Sequence, residues 1–283
     1  MTQAISTLSV LAHPYTHLQP ITKGPPEMRE ASRQAGTALV WFMAAGRYQT
    51  AVETVADRPG GMSLLVILPP GLQVALDRDV RMAVEYSRPH GILPFHADPD
   101  PNDLTNALRR PPSDLGSEVT DYLSWRGLGV DRDTAHIIRR IVDLSSELRS
   151  VSAMSRSLYL SRRALGRRFM SRGLPVPSHW LQMARLLRVA ARLQNSESTV
   201  ASIAIDHGYP DGFSVSNQME RLLGHRPSEI RERLGWEWIL EAWLRREAEL
   251  GTLAPISTRG ARSERDRPSR RRTRSPEAST STR

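Results

Sequence analysis

The spacing of apolar residues changes character partway along the chain. Residues 37–44 and 63–68 are continuous apolar runs of strand length, and residues 91–95 predict a third strand. Helical stretches follow these runs, at residues 48–56, 80–86 and 101–109. Because strands alternate with helices, we predict a parallel α/β domain over residues 36–112.

Three segments flank these periodic parts. Residues 1–35 mix four prolines with polar residues and show no sustained period, which predicts an irregular N-terminal segment. Proline and glycine recur at the next boundary, so residues 113–129 are predicted to be a linker with a short helical insert at 119–125. Residues 251–283 are rich in Arg, Ser, Thr and Pro, which predicts a disordered basic tail.

Residues 150–169 have the pattern of a helix, a turn and a second helix. Ser150 and Ser161 are suited to cap the two helices. The inward positions, at helical spacing, are Val151, Met154, Leu158, Leu165 and Phe169. The outer face of the second helix carries Arg162, Arg163, Gly166 and Arg167. Such a cationic face suits phosphates and guanine edges, although a solvated amphipathic helix explains one isolated case equally well.

The same pattern returns about fifty residues later, which favours a DNA-binding function over a solvated helix. After a cap at residues 198–199, one face is apolar and Gly208 stands where a tight turn needs positive φ. Residues 210–219 form the second candidate recognition helix, and residues 177–193 form a strongly apolar helix between the two units. Two such units on one chain predict a reader of duplex DNA.

These units resemble the tandem helix-turn-helix domain of AraC/XylS-type transcriptional regulators. The likeness covers about residues 130–235, within a predicted all-α DNA-binding domain at 130–250. The matching residues are Ser161, Leu165, Arg167, Phe169, Gly173, Arg185, Leu186, Ala190, Ile203, Ala204, Gly208, Tyr209, Gly224, Pro227 and Arg231. The resemblance implies two recognition helices that enter successive major grooves on one face of DNA, about 34 Å apart.

The resemblance also assigns base-facing positions. In the first helix these are Arg162, Arg163, Gly166 and Arg167, with Arg168 nearer the DNA backbone; in the second they are Gly212, Phe213, Ser214, Ser216 and Asn217. Tyr159 stands where the first turn usually has Gly, so that turn must avoid positive φ or accept strain of about 1 kcal/mol.

The second recognition helix departs further from the family pattern. Asn217 replaces the usual Arg, and Val215 and Met219 replace the usual aromatic residues. Asn can still pair with adenine, but a guanidinium contact to phosphate or guanine is lost. We therefore expect the first unit to supply most of the base readout, and the second to add positioning and apolar contact from Phe213.

Charge is distributed unevenly along the chain. Of a net charge of +9, residues 1–150 hold 15 Lys and Arg against 17 Asp and Glu, whereas residues 151–250 hold 15 against 10. A basic excess over the motif-bearing half predicts salt-dependent binding to double-stranded DNA. The chain lacks cysteine, a long apolar stretch and a signal-peptide pattern, so a soluble, cytoplasmic, nucleoid-associated protein without membrane contact is expected.

The α/β domain bears a weaker resemblance to the later part of a response-regulator receiver, over residues 36–110. Residues 91–95 and 103–108 take the places of its last strand and helix. No Asp ends either apolar run and no Lys follows Lys23, so a degenerate scaffold for a homodimer or a protein partner is expected rather than phosphoryl transfer. The alternating strands of a sugar-binding cupin barrel are also missing.

Catalytic, cofactor and metal sites are not predicted. His13 and His17 are four residues apart, but Pro14 interrupts any helix between them. Three tryptophans at residues 236–243 suit either packing or a partner surface. The expected function is a sequence-specific transcriptional regulator with RNA polymerase as a partner. A protein-interaction adaptor with weakened DNA readout is the alternative, and non-specific nucleic-acid binding by the tail is compatible with both.

Overall fold

Five strands form one mixed sheet in the N-terminal half. The computed structural model describes residues 7–44, 48–69, 78–94 and 100–254. The strands are β1 (Thr7–Leu11), β2 (Leu18–Pro20), β3 (Ala38–Phe42), β4 (Ser63–Leu68) and β5 (Gly91–Pro94). Their order across the sheet is β2-β1-β3-β4-β5. Of the predicted basic tail, residues 255–283 lie outside the described residues, whereas residues 251–254 belong to the fold because Leu253 is buried in the helical core.

The second half of the sheet is parallel, as predicted. Strands β3, β4 and β5 run in the same direction, with Trp41 opposite Val66 and Val66 opposite Ile92. The helices of this half are α1 (Pro25–Ala31), α2 (Gln49–Ala56), α3 (Arg78–Ser87) and α4 (Pro101–Arg109). Leu39, Trp41 and Leu65 are fully buried, because helices cover both faces of the sheet.

The first half of the sheet is antiparallel and was not predicted. Strand β1 pairs antiparallel with both β2 and β3. The irregular segment expected over residues 1–35 is therefore wrong from residue 7 onward, where two strands and α1 are formed. Strand β1 depends on pairing with β3, which lies distant in sequence, and β2 in turn pairs with β1. Pro20 is tolerated because β2 is an edge strand. An antiparallel β1 also departs from the all-parallel sheet of a receiver.

Nine helices follow within the described part of the C-terminal half. They are α5 (Leu115–Trp125), α6 (Arg132–Leu144), α7 (Val151–Ser157), α8 (Arg162–Met170), α9 (Pro177–Gln194), α10 (Val200–Asp206), α11 (Gly212–Leu223), α12 (Pro227–Glu232) and α13 (Glu237–Glu249). All nine contribute buried residues to a single hydrophobic core. The Trp180 and Trp243 rings meet edge to face near its centre, with 4.7 Å between centroids.

Helix α5 occupies the segment that was predicted to be a linker. Val119, Tyr122 and Leu123 are buried in the same core as α7 to α11. The side chain of Asp114 caps the helix by accepting a hydrogen bond from the Ser117 amide. Residues 113–129 therefore do not form an extended linker. The prolines and glycines lie at the ends of a helix whose apolar face packs against the helical core.

Helix α13 joins the sheet to the helical core through two buried carboxylates. Glu237 is 2% exposed, accepts a 2.7 Å hydrogen bond from the Ser63 hydroxyl and lies 2.9 Å from Nδ1 of His90. Glu241, one turn further on, accepts hydrogen bonds from the Tyr122 hydroxyl and the Arg126 guanidinium. We call Glu237, Glu241 and these four partners the α13 junction.

The tryptophans beside this junction serve packing, the first of the two alternatives. Trp236, Trp238 and Trp243 are all buried in the helical core. Their burial holds α13 against the remaining helices, while its carboxylates face the sheet and α5.

The charged pair at the junction predicts a stability optimum in mildly acidic solution. Burial of the His90 ring favours its neutral form, but the Glu237 carboxylate outweighs this and the pKa of His90 is raised above 6.5. Burial alone would raise the pKa of Glu237, yet His90 and the Ser63 hydroxyl lower it to about 2. Arg88 and Glu118 lie in the same charged environment.

The expected pH dependence of stability follows from the lowered pKa of Glu237 and the raised pKa of His90. Stabilisation from Glu237 is full above its ordinary pKa of 4.5 and is lost as pH falls toward 2. Stabilisation from His90 is full below 6.5 and is lost as pH rises through its raised pKa. The free energy of unfolding of the wild type, relative to His90→Gln, should thus be largest between pH 4.5 and 6.5. If the difference in free energy of unfolding between the wild type and His90→Gln stays constant with pH, this prediction is wrong.

Candidate DNA-binding surface

The first helix-turn-helix unit consists of α7 and α8. Both helices begin at a serine whose hydroxyl accepts an amide hydrogen bond, Ser150 for α7 and Ser161 for α8. Leu165 and Phe169 are fully buried, which confirms the predicted inner face of α8. Their burial sets the rotation of the helix and leaves the arginine-rich face turned outward.

The arginines of α8 differ in their surroundings. Arg162, Arg163 and Arg167 are exposed and have no ion-pair partner among the described residues. Arg168 is half-buried and pairs with Asp133 of α6 at 3.6 Å. Three positive charges are therefore available to an external anion, whereas the fourth is partly neutralised within the protein.

Gly166 lies between these arginines on the outer half of α8. A Cβ built on it would have no heavy atom within 4 Å, so the surface beside the helix backbone is open. Glycine within a helix costs about 0.5–1 kcal/mol relative to alanine. The fold therefore gains nothing from glycine at this position.

An alanine at this position should separate stability from binding. We expect Gly166→Ala to raise the unfolding temperature slightly and to weaken DNA binding, because the added methyl group occupies space that the resemblance assigns to DNA. Thermal unfolding and binding titration would measure the two effects. Gly129→Ala, at another open glycine outside α8, is the control and should leave affinity unchanged. Affinity unchanged in both variants would place DNA away from this part of α8.

The second unit consists of α10 and α11. Thr199 caps α10, and the carboxylate of Asp211 caps α11 by accepting a 2.7 Å hydrogen bond from the Ser214 amide. Val215 and Met219 are fully buried, so they replace the usual aromatic residues on the inner face. Phe213 is 73% exposed and Asn217 is exposed.

The remaining predicted positions of α11 are half-buried and serve the fold. A Cβ on Gly212 would lie 3.2 Å from the Ala201 amide nitrogen, so glycine permits the close approach of α10 and α11. The Ser216 hydroxyl donates to the Gly212 carbonyl, and Ser214 provides the capped amide. Phe213 and Asn217 are thus the most accessible of the five predicted positions in this helix.

Helix α9 connects the two units and holds the second turn. The Arg185 guanidinium donates to the carbonyls of His207 and Gly208 and lies 4.3 Å above the Tyr209 ring. Arg231 of α12 donates to the carbonyl of Ser198, just before α10. These contacts fix both ends of α10 against the rest of the domain.

Two further exposed groups were not predicted as contacts. Arg149 places its guanidinium beside the second turn, about 2.8 Å from where a Cβ on Gly208 would be. It directly precedes the Ser150 cap, outside the matched and patterned positions of the first unit. Tyr159 has φ of 54°, so the first turn adopts the strained backbone rather than avoiding it.

Comparison with known proteins agrees with the helical half. Residues 154–233 match a protein-family model described as a helix-turn-helix domain. Among solved structures, the chain is similar to the xylose-binding transcription activator xylR at 13% identity, over 66% of this chain and 58% of that chain, with a TM-score of 0.32. It is similar to the transcriptional regulator CdpR from Pseudomonas aeruginosa at 20% identity, over 61% and 56%, with a TM-score of 0.31. No curated protein matches the sequence.

The matched family model confirms the predicted helix-turn-helix resemblance over residues 154–233. The chain spans less than two thirds of both solved chains. The receiver resemblance of residues 36–110 is not confirmed, since the matched model lies outside that range. Among the described helices, none has the length and apolarity needed to cross a membrane.

Proposed function

We propose, on the basis of the AraC-type helix-turn-helix domain at residues 154–233, that this chain is a sequence-specific transcriptional regulator. The observation that carries the proposal is the outer face of α8. Arg162, Arg163 and Arg167 project from a helix whose opposite face is fully buried, and no acidic partner neutralises them in the described part of the chain. A second unit, braced by α9, supports reading in two successive grooves.

Base readout would be divided unequally between the units. Arg163 and Arg167 are suited to pair bidentately with guanine O6 and N7, which contributes about 1–3 kcal/mol of discrimination per base. Phe213 offers an exposed ring to a thymine methyl group, and Asn217 an amide to adenine. The half-buried Gly212, Ser214 and Ser216 support a smaller contribution from α11.

The sheet domain is proposed to receive a signal or a partner. It packs on α13 through the α13 junction, and α13 belongs to the same hydrophobic core as α8 and α11. A second copy of the chain at the sheet domain and RNA polymerase at the DNA-bound protein are the partners proposed for regulation. Recruitment or exclusion of polymerase would be the output.

Selection of bound duplexes from a random DNA pool tests the function. The tail is removed after Ala254 rather than earlier, because Leu253 is buried and the Thr252 hydroxyl hydrogen-bonds Glu247. At physiological salt, where non-specific affinity is weak, we expect enrichment of two short blocks about ten base pairs apart. Absence of any enriched sequence would contradict the proposal and favour the protein-interaction adaptor.

A further inference from the structure

Tyr159 combines backbone strain with an almost fully exposed aromatic side chain. It lies in the turn between α7 and α8, with φ of 54° and 96% of its surface accessible. Residues with a Cβ adopt this left-handed conformation at a cost of about 1 kcal/mol or more. Because the tyrosine ring is exposed, it makes no packing contacts within the described residues that would offset this cost.

The second unit of the same chain shows what this turn requires. Gly208 takes the equivalent position, with φ of 74°. Both turns are closed by the same hydrogen bond, from the Leu160 amide to the Ser155 carbonyl and from the Tyr209 amide to the Ala204 carbonyl, each 2.9 Å. Glycine therefore suits this backbone, and the fold does not explain tyrosine.

The Tyr159 side chain also has no partner within the described residues. Its hydroxyl makes no hydrogen bond there, and no aromatic ring or guanidinium lies against its ring. The adjacent Leu158 and Leu160, by contrast, pack against the helical core. The turn is anchored by its neighbours, while the tyrosine projects into solvent.

The location of Tyr159 relative to α8 indicates what it contacts. It precedes the helix cap Ser161 by two residues, so it lies at the N-terminal end of the proposed recognition helix. In helix-turn-helix proteins this end approaches the base edges, and phosphates line the groove on either side. Tyrosine hydroxyls are among the groups that hydrogen-bond DNA phosphates.

We infer that Tyr159 is a positioning residue that donates its hydroxyl to a DNA backbone phosphate beside the groove entered by α8. The inference rests on the proposed function. Such a contact is neutral on the protein side, so it would orient α8 without adding to the counterion release that Arg162, Arg163 and Arg167 cause. The strain is then retained because the bound state uses the side chain.

The test compares Tyr159→Phe and Tyr159→Gly in the full chain. We expect the Phe variant to lose about tenfold to a hundredfold in affinity, as for one hydrogen bond from a neutral donor to a charged phosphate, and the Gly variant to lose at least as much while its unfolding temperature rises. The slope of log affinity against log salt should stay unchanged in both, since no charge is removed. Tyr86→Phe, at another exposed tyrosine on α3, is the matched control and should change nothing.

A phosphate contact does not depend on base sequence, so affinities are measured on an arbitrary duplex at low salt as well as on any selected site. Unchanged affinity in both variants on both duplexes would overturn the inference. Unchanged DNA affinity with lost activation of transcription in vitro would also overturn it, in favour of a protein contact. Failure of the proposed function gives a different result, because the wild-type protein itself would then enrich no DNA sequence from the random pool.

Discussion

Replacing Arg163 and Arg167 together with alanine should reduce site-specific DNA affinity by about a hundredfold or more. Under the proposed function, two bidentate guanine contacts would be lost, each worth about 1–3 kcal/mol. The salt dependence should also weaken, because two cations no longer displace counterions. Both side chains are exposed and lack ion-pair partners in the described part of the protein, so the unfolding temperature should stay unchanged.

The matched control for this experiment removes two arginines elsewhere. Arg33 and Arg81 are exposed in the sheet domain, and within the described ranges the ion-pair partner of each is a nearby glutamate, Glu30 for Arg33 and Glu85 for Arg81. Their double alanine variant has the same net charge as the test variant and should keep site-specific binding. Retained selectivity after loss of Arg163 and Arg167 would move base readout away from α8.

Replacing Glu241 with glutamine should lower the free energy of unfolding by about 3–5 kcal/mol. The Arg126 guanidinium would remain buried without its counter-charge, and the glutamine amide would offer one acceptor oxygen where the carboxylate offers two to Arg126 and the Tyr122 hydroxyl. Burial alone would raise the pKa of the Glu241 carboxyl, yet the Arg126 hydrogen bonds hold it below its ordinary value, so the pair is ionised in the folded protein. Chemical denaturation followed by circular dichroism would measure the loss.

Two further variants make this result specific to the buried pair. Glu249→Gln changes an exposed carboxylate on the same helix and should alter stability by about 0.5 kcal/mol or less. Replacing Arg126 and Glu241 together with methionine should recover most of the lost stability, because no lone charge remains buried. A single-variant loss below 1 kcal/mol would show that solvent reaches the pair.

The sequence was sufficient to predict those strands and helices whose pattern is set by residues close together in the chain. The runs of β3 and β4 are apolar on both faces, and each helix-turn-helix unit carries its caps, its inner stripe and its turn within about twenty residues. The outward rotation of α8 followed from Leu165 and Phe169 alone. These features depend on residues one to four positions apart, which a sequence displays directly.

Features that depend on distant partners were not predictable. Strand β1 is defined by pairing with β3 some thirty residues away, and α5 by a core to which α9 and α13 contribute. Within the candidate site, the neutralisation of Arg168 depends on Asp133, on another helix. The close packing of Gly212 on α10 likewise depends on the distance between two helices, which spacing along one of them does not determine.

The α13 junction limits how this protein can be divided. A fragment starting at residue 113 keeps Tyr122 and Arg126 with Glu241 but loses both Ser63 and His90. Glu237 would then lack both the hydroxyl and the imidazole that now satisfy it. A graft of the helical region onto another domain must therefore carry those two residues along or replace Glu237 with an uncharged residue. A cut between the sheet and the helical core leaves a buried carboxylate without the partners that it has in the whole chain.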